Sequence, residues 1–223
     1  MTANTCIVSR LRHSLLQPTS AIGLILKSAA DGKLSDNSIT QTFEIAAKAA
    51  HDLHTELEAL MDFLVLECGR NDLCLSPTNL HDIIVEAVSE DASLANSIGR
   101  LIIEDPHTLT VKADSGLLLK GIRALIKNAM EFSTGAVEVS IQKDDAFASI
   151  LIEDRGIGIH DAITENLGEP FRVANAAKTP RATRMGVGLP IAKRVAEKHG
   201  GRLEVTQRPG GGSQARLTLP LAP

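Results

Sequence analysis

Two glycine-paired turns constrain this chain more than any other feature. One is IEDRGIGI, Ile152 to Ile159, which an aspartate leads; the other lies within RMGVGLPIAKRVAEKHGG, Arg184 to Gly201, and opens a helix. Gly156, Gly158, Gly186 and Gly188 have no Cβ, so they permit positive φ and let backbone N–H groups approach a ligand closely. The helix expected from Leu189 to Lys198 offers free amides and a positive dipole end, both suited to phosphate. Such turns are what a protein needs to bring its backbone against a nucleotide.

Two long helical patterns precede them. Val8, Leu11, Leu15, Pro18, Ile22, Ile25 and Ala29 recur at alternating steps of three and four, which is a heptad seam. Ile39, Phe43, Ala46, Ala50, Leu53, Leu57, Leu60 and Leu64 repeat it. Between them DGKLSDNS supplies turn formers and an N-cap at Ser35 or Asp36. The pattern predicts a helical hairpin. A hairpin with a strict seam leaves apolar surface uncovered, so a homodimer forming a four-helix bundle is expected, the alternative being a hairpin packed on its own C-terminal domain. Pro18, inside the first pattern, is expected to kink its helix. His13 projects from the side away from the seam.

GRNDLCLSP, from Gly69 to Pro77, reads as a hinge, which places domains at 1–69 and 77–223 with a linker at 70–76. Beyond it the expected elements are a helix near Leu80 to Val88, a strand around Arg100 to Glu104 and a strong helix from Ser115 to Phe132. Strands at Ala136 to Gln142 and Ala148 to Glu153 follow. Glu169 to Thr183 is polar and poorly periodic. The helix capped by Gly200 and Gly201 comes next, then a strand pair, Arg202 to Thr206 and Gln214 to Leu219, joined through PGGGS. Strands and helices do not alternate one for one, so the fold class is α+β, a layered sandwich rather than a doubly wound sheet.

Composition narrows the function. A hydrophobic fraction of 43% with 22% charged residues suits a globular chain, and a net charge of −4 provides no basic footprint for nucleic acid. Five Phe and no Trp or Tyr require an aliphatic core. No apolar run approaches the roughly 18 to 20 residues of a membrane helix, and no signal peptide is evident, so a cytoplasmic chain without a membrane segment is expected. Cys6, Cys68 and Cys74 form no metal or disulfide framework and read as structural filler.

Taken together, these segments resemble the catalytic core of two-component sensor histidine kinases over nearly the whole chain. RLRHSLLQPTSAI is similar to the family's H-box, LIKNAMEFS to the N-box, IEDRGIGI to the first glycine box, EPF at Glu169 to Phe171 to the F-box, and MGVGLPIAKRVAEKHGGRLEV to the second glycine box. The resemblance implies an N-terminal dimerisation hairpin followed by an ATP-binding α/β sandwich of the GHKL type. It also implies ATP and Mg²⁺ as cofactors and a response regulator receiver domain as partner. His13 would be the phosphoacceptor, with Ser14 and Gln17 beside it. Asn128 would hold Mg²⁺ and Asp154 the adenine amino group. Gly156, Gly158, Gly186, Gly188 and Leu189 would line the nucleotide, with Phe171, Arg181 and Arg184 in or beside a closing lid.

The residue types suit these roles chemically. An ionised Asp154 is acceptor-only, so it can take the adenine amino hydrogen and discriminate against guanine. Asn128 offers an uncharged oxygen to Mg²⁺, which prefers oxygen ligands. Some positions depart from the family pattern. Ser14 stands where an acidic residue usually serves as base, Leu16 replaces an arginine, Gln17 replaces threonine or asparagine, and Ala124 replaces an asparagine. Glu131 replaces a lysine and Arg184 a glycine; Lys127 or Arg184 could supply the missing cation. An ATP-dependent protein-histidine kinase is therefore expected. The alternative is a histidine phosphotransfer scaffold that relays phosphate from another kinase, and a related ATPase or serine kinase is disfavoured by the hairpin and H-box.

Overall fold

The computed structural model describes residues 3–31, 36–68, 72–95, 97–104, 109–159, 164, 166–170 and 185–221; the side chains of 3–14, 36–39 and 92 lie outside that description. The chain divides into two compact units, Met1–Leu64 with Phe171–Val187, and Val65–Pro170 with Gly188–Pro223. The expected N-cap Ser35 falls outside the described residues.

The first unit holds α1, Ala3–Ala30, and most of α2, Asp36–Cys68. α1 runs unbroken through Pro18. The Thr19 hydroxyl donates to the carbonyl oxygens of Leu15, at 3.0 Å, and Leu16, at 2.9 Å, in the turn where proline removes an amide. Leu15, Pro18, Ile22, Ile25 and Ala29 are all half-buried, as the seam requires. On α2 the covered face differs from the expected one. Thr42, Ala46, Ala49, Leu53, Glu56 and Leu60 are half-buried and Phe63 is buried, at steps of four and three. Of the seam residues read from sequence, Ala46, Leu53 and Leu60 lie on this face, whereas Phe43, Leu57 and Leu64 are 47%, 41% and 43% exposed. The apolar arc of α2 is wide enough to carry two stripes, and the chain covers only one.

The second unit is the expected α+β sandwich. Its elements are β1 Ser76–Asn79, α3 Leu80–Ser89, α4 Ala92–Ala95, β2 Leu101–Glu104, β3 Thr110–Ala113 and α5 Ser115–Phe132. Then come β4 Val137–Lys143, β5 Phe147–Glu153, α6 Gly188–Lys198, β6 Arg202–Gln207 and β7 Ser213–Pro220. A five-stranded sheet has the order β2-β4-β5-β7-β6, parallel only between β2 and β4. Strand alternation puts one apolar row across it, Ile141, Ile150, Leu217 and Leu203, which are register partners and buried. α5 and α6 pack on each other and contact the sheet. β1 and β3 form a separate antiparallel pair that the sequence reading missed. Four residues with Pro77 in the middle, SPTN, carry no apolar alternation, so only pairing with β3 makes them a strand.

α5 is tied at both ends. At its N-terminus Asp114 caps it, accepting from Leu117 N–H at 3.0 Å. The Asp114 amide in turn donates to His199 Nε2 at 3.0 Å, while His199 Nδ1 lies 2.7 Å from the Val195 carbonyl. An accepting Nε2 and a donating Nδ1 define one neutral tautomer for this buried ring. At the C-terminus the Arg100 guanidinium donates to the carbonyls of Ser133, at 2.5 Å, and Gly135, at 3.0 Å, a cation on the negative end of the helix. In the middle, Gly121 lets α6 come close: a Cβ there would stand 3.0 Å from Val195 Cγ1.

Asp91 ties α4 to α5. Its carboxylate accepts from Ser93 N–H at 3.0 Å and Leu94 N–H at 3.3 Å, and Lys127 Nζ lies 2.6 Å away. Burial raises its pKa, but the bonds from Lys127 and Ser93 and the Lys127 charge outweigh this and hold it at about 2, below the usual 3.8. A depressed carboxylate contributes stability above its unfolded pKa, and the contribution is lost as pH falls from about 4 through about 2. Asp91→Asn is expected to lower stability by about 1 to 2 kcal/mol at pH 7. Urea titrations of both proteins should show the gap closing across that acid window.

Candidate functional site

The candidate site in the second unit is built along α5. Ala124, Asn128 and Phe132 follow one another at single-turn spacing, about 12 Å from first to last, and so lie on roughly one face. The N-terminus of α6 stands beside the first of them: a Cβ on Gly188 would lie 3.8 Å from the Ala124 carbonyl oxygen. Pro190 sits in the first turn of α6, where no intrahelical amide is needed. Gly188 and Leu189 are half-buried, as is Asn128.

The aspartate turn is fastened at the other end of the rail. Ile157 N–H donates to the Phe132 carbonyl at 3.3 Å, and a Cβ on Gly156 would fall 2.0 Å from the same oxygen. Glycine is required at 156 by this close approach of two backbones. Asp154 is 3% exposed. Its Oδ1 accepts from Gly156 N–H at 2.7 Å, its Oδ2 accepts from the Ser213 hydroxyl, and its own N–H donates to the Ser213 carbonyl at 2.9 Å. Each carboxylate oxygen has further lone-pair capacity beyond these bonds. Gly158 has φ 77°, and Gln207 Oε1 accepts from Ile159 N–H at 3.1 Å beneath it.

The structure therefore brings Asn128, Asp154, Gly156, Gly158, Gly188 and Leu189 together on one unit. Gly186, with φ 69°, groups with the first unit. His13 and Ser14 belong to α1, where their side chains lie outside the description, and Gln17, one turn on, is exposed. Phe171, Arg181 and Arg184 fall outside the described residues. Three details differ from the sequence reading. Gly188 has ordinary van der Waals room for a Cβ, and Lys127 is committed to Asp91 at 2.6 Å rather than available as a cation. Cys68 and Cys74, read from sequence as structural filler, are free and exposed.

Sequence reasoning missed the residues that hold Asp154. Gly212, φ 92°, would put a Cβ 2.0 Å from the Asp154 carbonyl oxygen, so the turn between β6 and β7 is pressed against the aspartate. Ser213 follows it. The glycine run PGGGS was the available signal, because a hairpin needs fewer glycines than this one has. Arg208, at the base of the same turn, donates to Glu138 Oε2 at 2.7 Å and stands 3.3 Å from Glu153 Oε1. Among the described residues there is no cluster of side chains fit to hold a metal by itself, and no helix long and apolar enough to cross a membrane.

This geometry has a family. Residues 113–223 match the family described as histidine kinase-, DNA gyrase B-, and HSP90-like ATPase. Along nearly its whole length the chain is similar to proteins named as sensor histidine kinases, the class that its boxes resembled. It is 28% identical over 219 residues to the sensor-like histidine kinase SenX3 of Mycolicibacterium smegmatis, covering 97% of this chain and 57% of that protein. The chain thus spans a little over half the length of that relative. Its fold is that of the Acinetobacter baumannii histidine kinase AdeS, with TM-score 0.72 at 18% identity over 95% of this chain and 98% of that one. The histidine kinase ThkA, solved in complex with the response regulator protein TrrA, superposes with TM-score 0.74 at 16% identity over 96% of this chain and 61% of that one.

The two glycines separate experimentally. Gly156→Ala must displace the end of α5 or the turn, and is expected to cost about 2 to 4 kcal/mol or to prevent folding. Gly188→Ala has room and is expected to change stability by less than about 1 kcal/mol. Thermal melts of the two variants provide the comparison.

Proposed function

We propose that this chain binds Mg-ATP on its second unit, autophosphorylates on His13 and passes the phosphoryl group to an aspartate of a response regulator receiver domain. The observation that carries the reading is the α5 rail. It holds a buried carboxylate, Asp154, at one end, an amide side chain, Asn128, between, and the N-terminus of α6 at the other. About 12 Å of helix separates the ends, a span suited to a base and its phosphates.

In this reading Asp154 accepts the adenine amino hydrogen while Gly156 and Ser213 keep its carboxylate aimed. Gly158, Gly188 and Leu189 bring backbone to the nucleotide, and the α6 dipole favours the phosphates. Asn128 would hold Mg²⁺, which supplies charge neutralisation at the phosphates. The resemblance assigns Phe171 and Arg181 to a lid segment and puts Arg184 beside it. The neutral His13 imidazole attacks the γ-phosphorus; the N–P bond forms as the bond to the bridging oxygen breaks, and ADP leaves with the electron pair. Positioning supplies most of the rate. The relatives named above support the assignment, as does a fold shared with a kinase solved against its response regulator.

The working division is a dimerisation and phosphotransfer hairpin at 1–69, a hinge at 70–76 and a catalytic domain at 77–223. The exposed stripe Phe43, Leu57 and Leu64 is the face a second copy would cover. Ser14 replaces the carboxylate that would serve as base, and the Gln17 amide would orient a water for dephosphorylation. With Glu131 on α5 and Lys127 held by Asp91, the expected autophosphorylation is slow.

Incubation with γ-labelled ATP tests the assignment. Wild type is expected to acquire acid-labile label, and His13→Gln to lose all of it while binding ADP as before. Label that survives in the variant would place the acceptor on another histidine. Leu57→Asp is expected to convert a dimer to monomers in light scattering; a wild type already monomeric at micromolar concentration would sink the bundle.

A further inference from the structure

Beside Asp154 lies a charged cluster that the proposed chemistry does not use. Arg208, whose side chain is 14% exposed, donates from Nη2 to Glu138 Oε2 on β4 at 2.7 Å, and its Nε stands 3.3 Å from Glu153 Oε1 on β5. Glu153 also accepts from Gln214 Nε2 at 2.9 Å. Arg155 comes only within 3.9 Å of Glu138 and is itself 57% exposed, so Arg208 is the well-buried cation of the cluster. Its Nη1 is buried without a hydrogen-bond partner. The bond from Glu138 raises the guanidinium pKa further above its usual value; burial opposes this, and the charges of Glu153, Glu138 and Asp154 add to the rise.

The Arg208 backbone closes the turn that holds Asp154. Its N–H donates to the Gly212 carbonyl at 3.0 Å, and its carbonyl accepts from Gly211 N–H at 3.1 Å. Gly212 abuts the Asp154 carbonyl and Ser213 holds the Asp154 carboxylate. One residue therefore links β4, β5 and the β6–β7 turn at the aspartate.

We propose that Arg208 is a positioning residue for base recognition: by neutralising Glu138 and Glu153 it lets a third carboxylate, Asp154, keep its orientation against Gly156 and Ser213. The proposal rests on the reading of Asp154 as the acceptor for the adenine amino group. With Arg208 removed, the carboxylates of Glu153 at the end of β5, Asp154 just after it and Glu138 on β4 repel each other. Arg155, the other cation of the cluster among the described residues, is exposed, and the glycine-rich turn yields. Removing the two glutamate charges as well relieves the repulsion.

The test is ADP binding by calorimetry on the full chain, in wild type, R208Q, R208K and the triple variant R208Q/E138Q/E153Q. R208Q is expected to bind ADP about tenfold more weakly or worse, R208K to recover part of the loss, and the triple variant most of it. R208Q binding equal to wild type overturns the proposal. So does a triple variant as weak as R208Q, because Arg208 would then act as a cross-link alone. Should R208Q fail to fold, the triple variant decides: affinity within a few-fold of wild type supports the electrostatic role, and loss of binding or of fold overturns it. Wild type that binds no ADP removes the reading of Asp154 itself, an outcome distinct from unaffected Arg208 variants.

Discussion

The contact between Gly156 and the Phe132 carbonyl is the constraint on which the second unit depends. Two backbones meet where no side chain fits, so the end of α5 and the aspartate turn occupy one fixed relation. The rest of the unit maintains that relation. Asp114 and His199 hold the start of α5, Arg100 holds its end, and the absent side chain of Gly121 lets α6 lie against it. The β6–β7 turn presses on Asp154 from the other side through Gly212 and Ser213. A shift in any of these would move the carboxylate relative to the helix that carries Asn128.

Such rigidity suits chemistry that is mostly positioning. Phosphoryl transfer asks little covalent work of a protein and much geometric work. In the proposed reading, a rail with an anionic hydrogen-bond acceptor at one end and a helix N-terminus at the other would separate recognition of a base from handling of phosphates. The proposed acceptor, His13, is carried by a different unit on a long helix, so recognition of nucleotide and choice of acceptor are built from separate parts of the chain. Glu131 and the commitment of Lys127 to Asp91 both leave the α5 face less cationic than the resembled pattern.

Much of this was legible in the residues. Amphipathic periodicity placed α5 at its observed bounds, α6 within one residue, and the long strands β4 to β7 within one or two. The boxes located the glycine turns and pointed to the histidine kinase resemblance. Short elements were not legible: β1 has no pattern of its own and exists because β3 pairs with it. The α2 seam is covered only in part within the chain, since a helix with apolar residues over a wide arc does not declare which stripe its own chain will cover.

What the sequence by itself determined was the inventory of local forms, because helix and strand periodicity, caps and glycine turns are written within a few residues of each other. What only the tertiary structure decided was which distant groups share charge and space. Gly156 is required because of Phe132, Lys127 is spent on Asp91, and Asp154 is held by Ser213 and Gly212 from the far end of the chain. Arg208 meets Glu138 across some seventy residues of sequence. Such pairings depend on strand register and helix packing, and those are fixed only when the whole sheet closes.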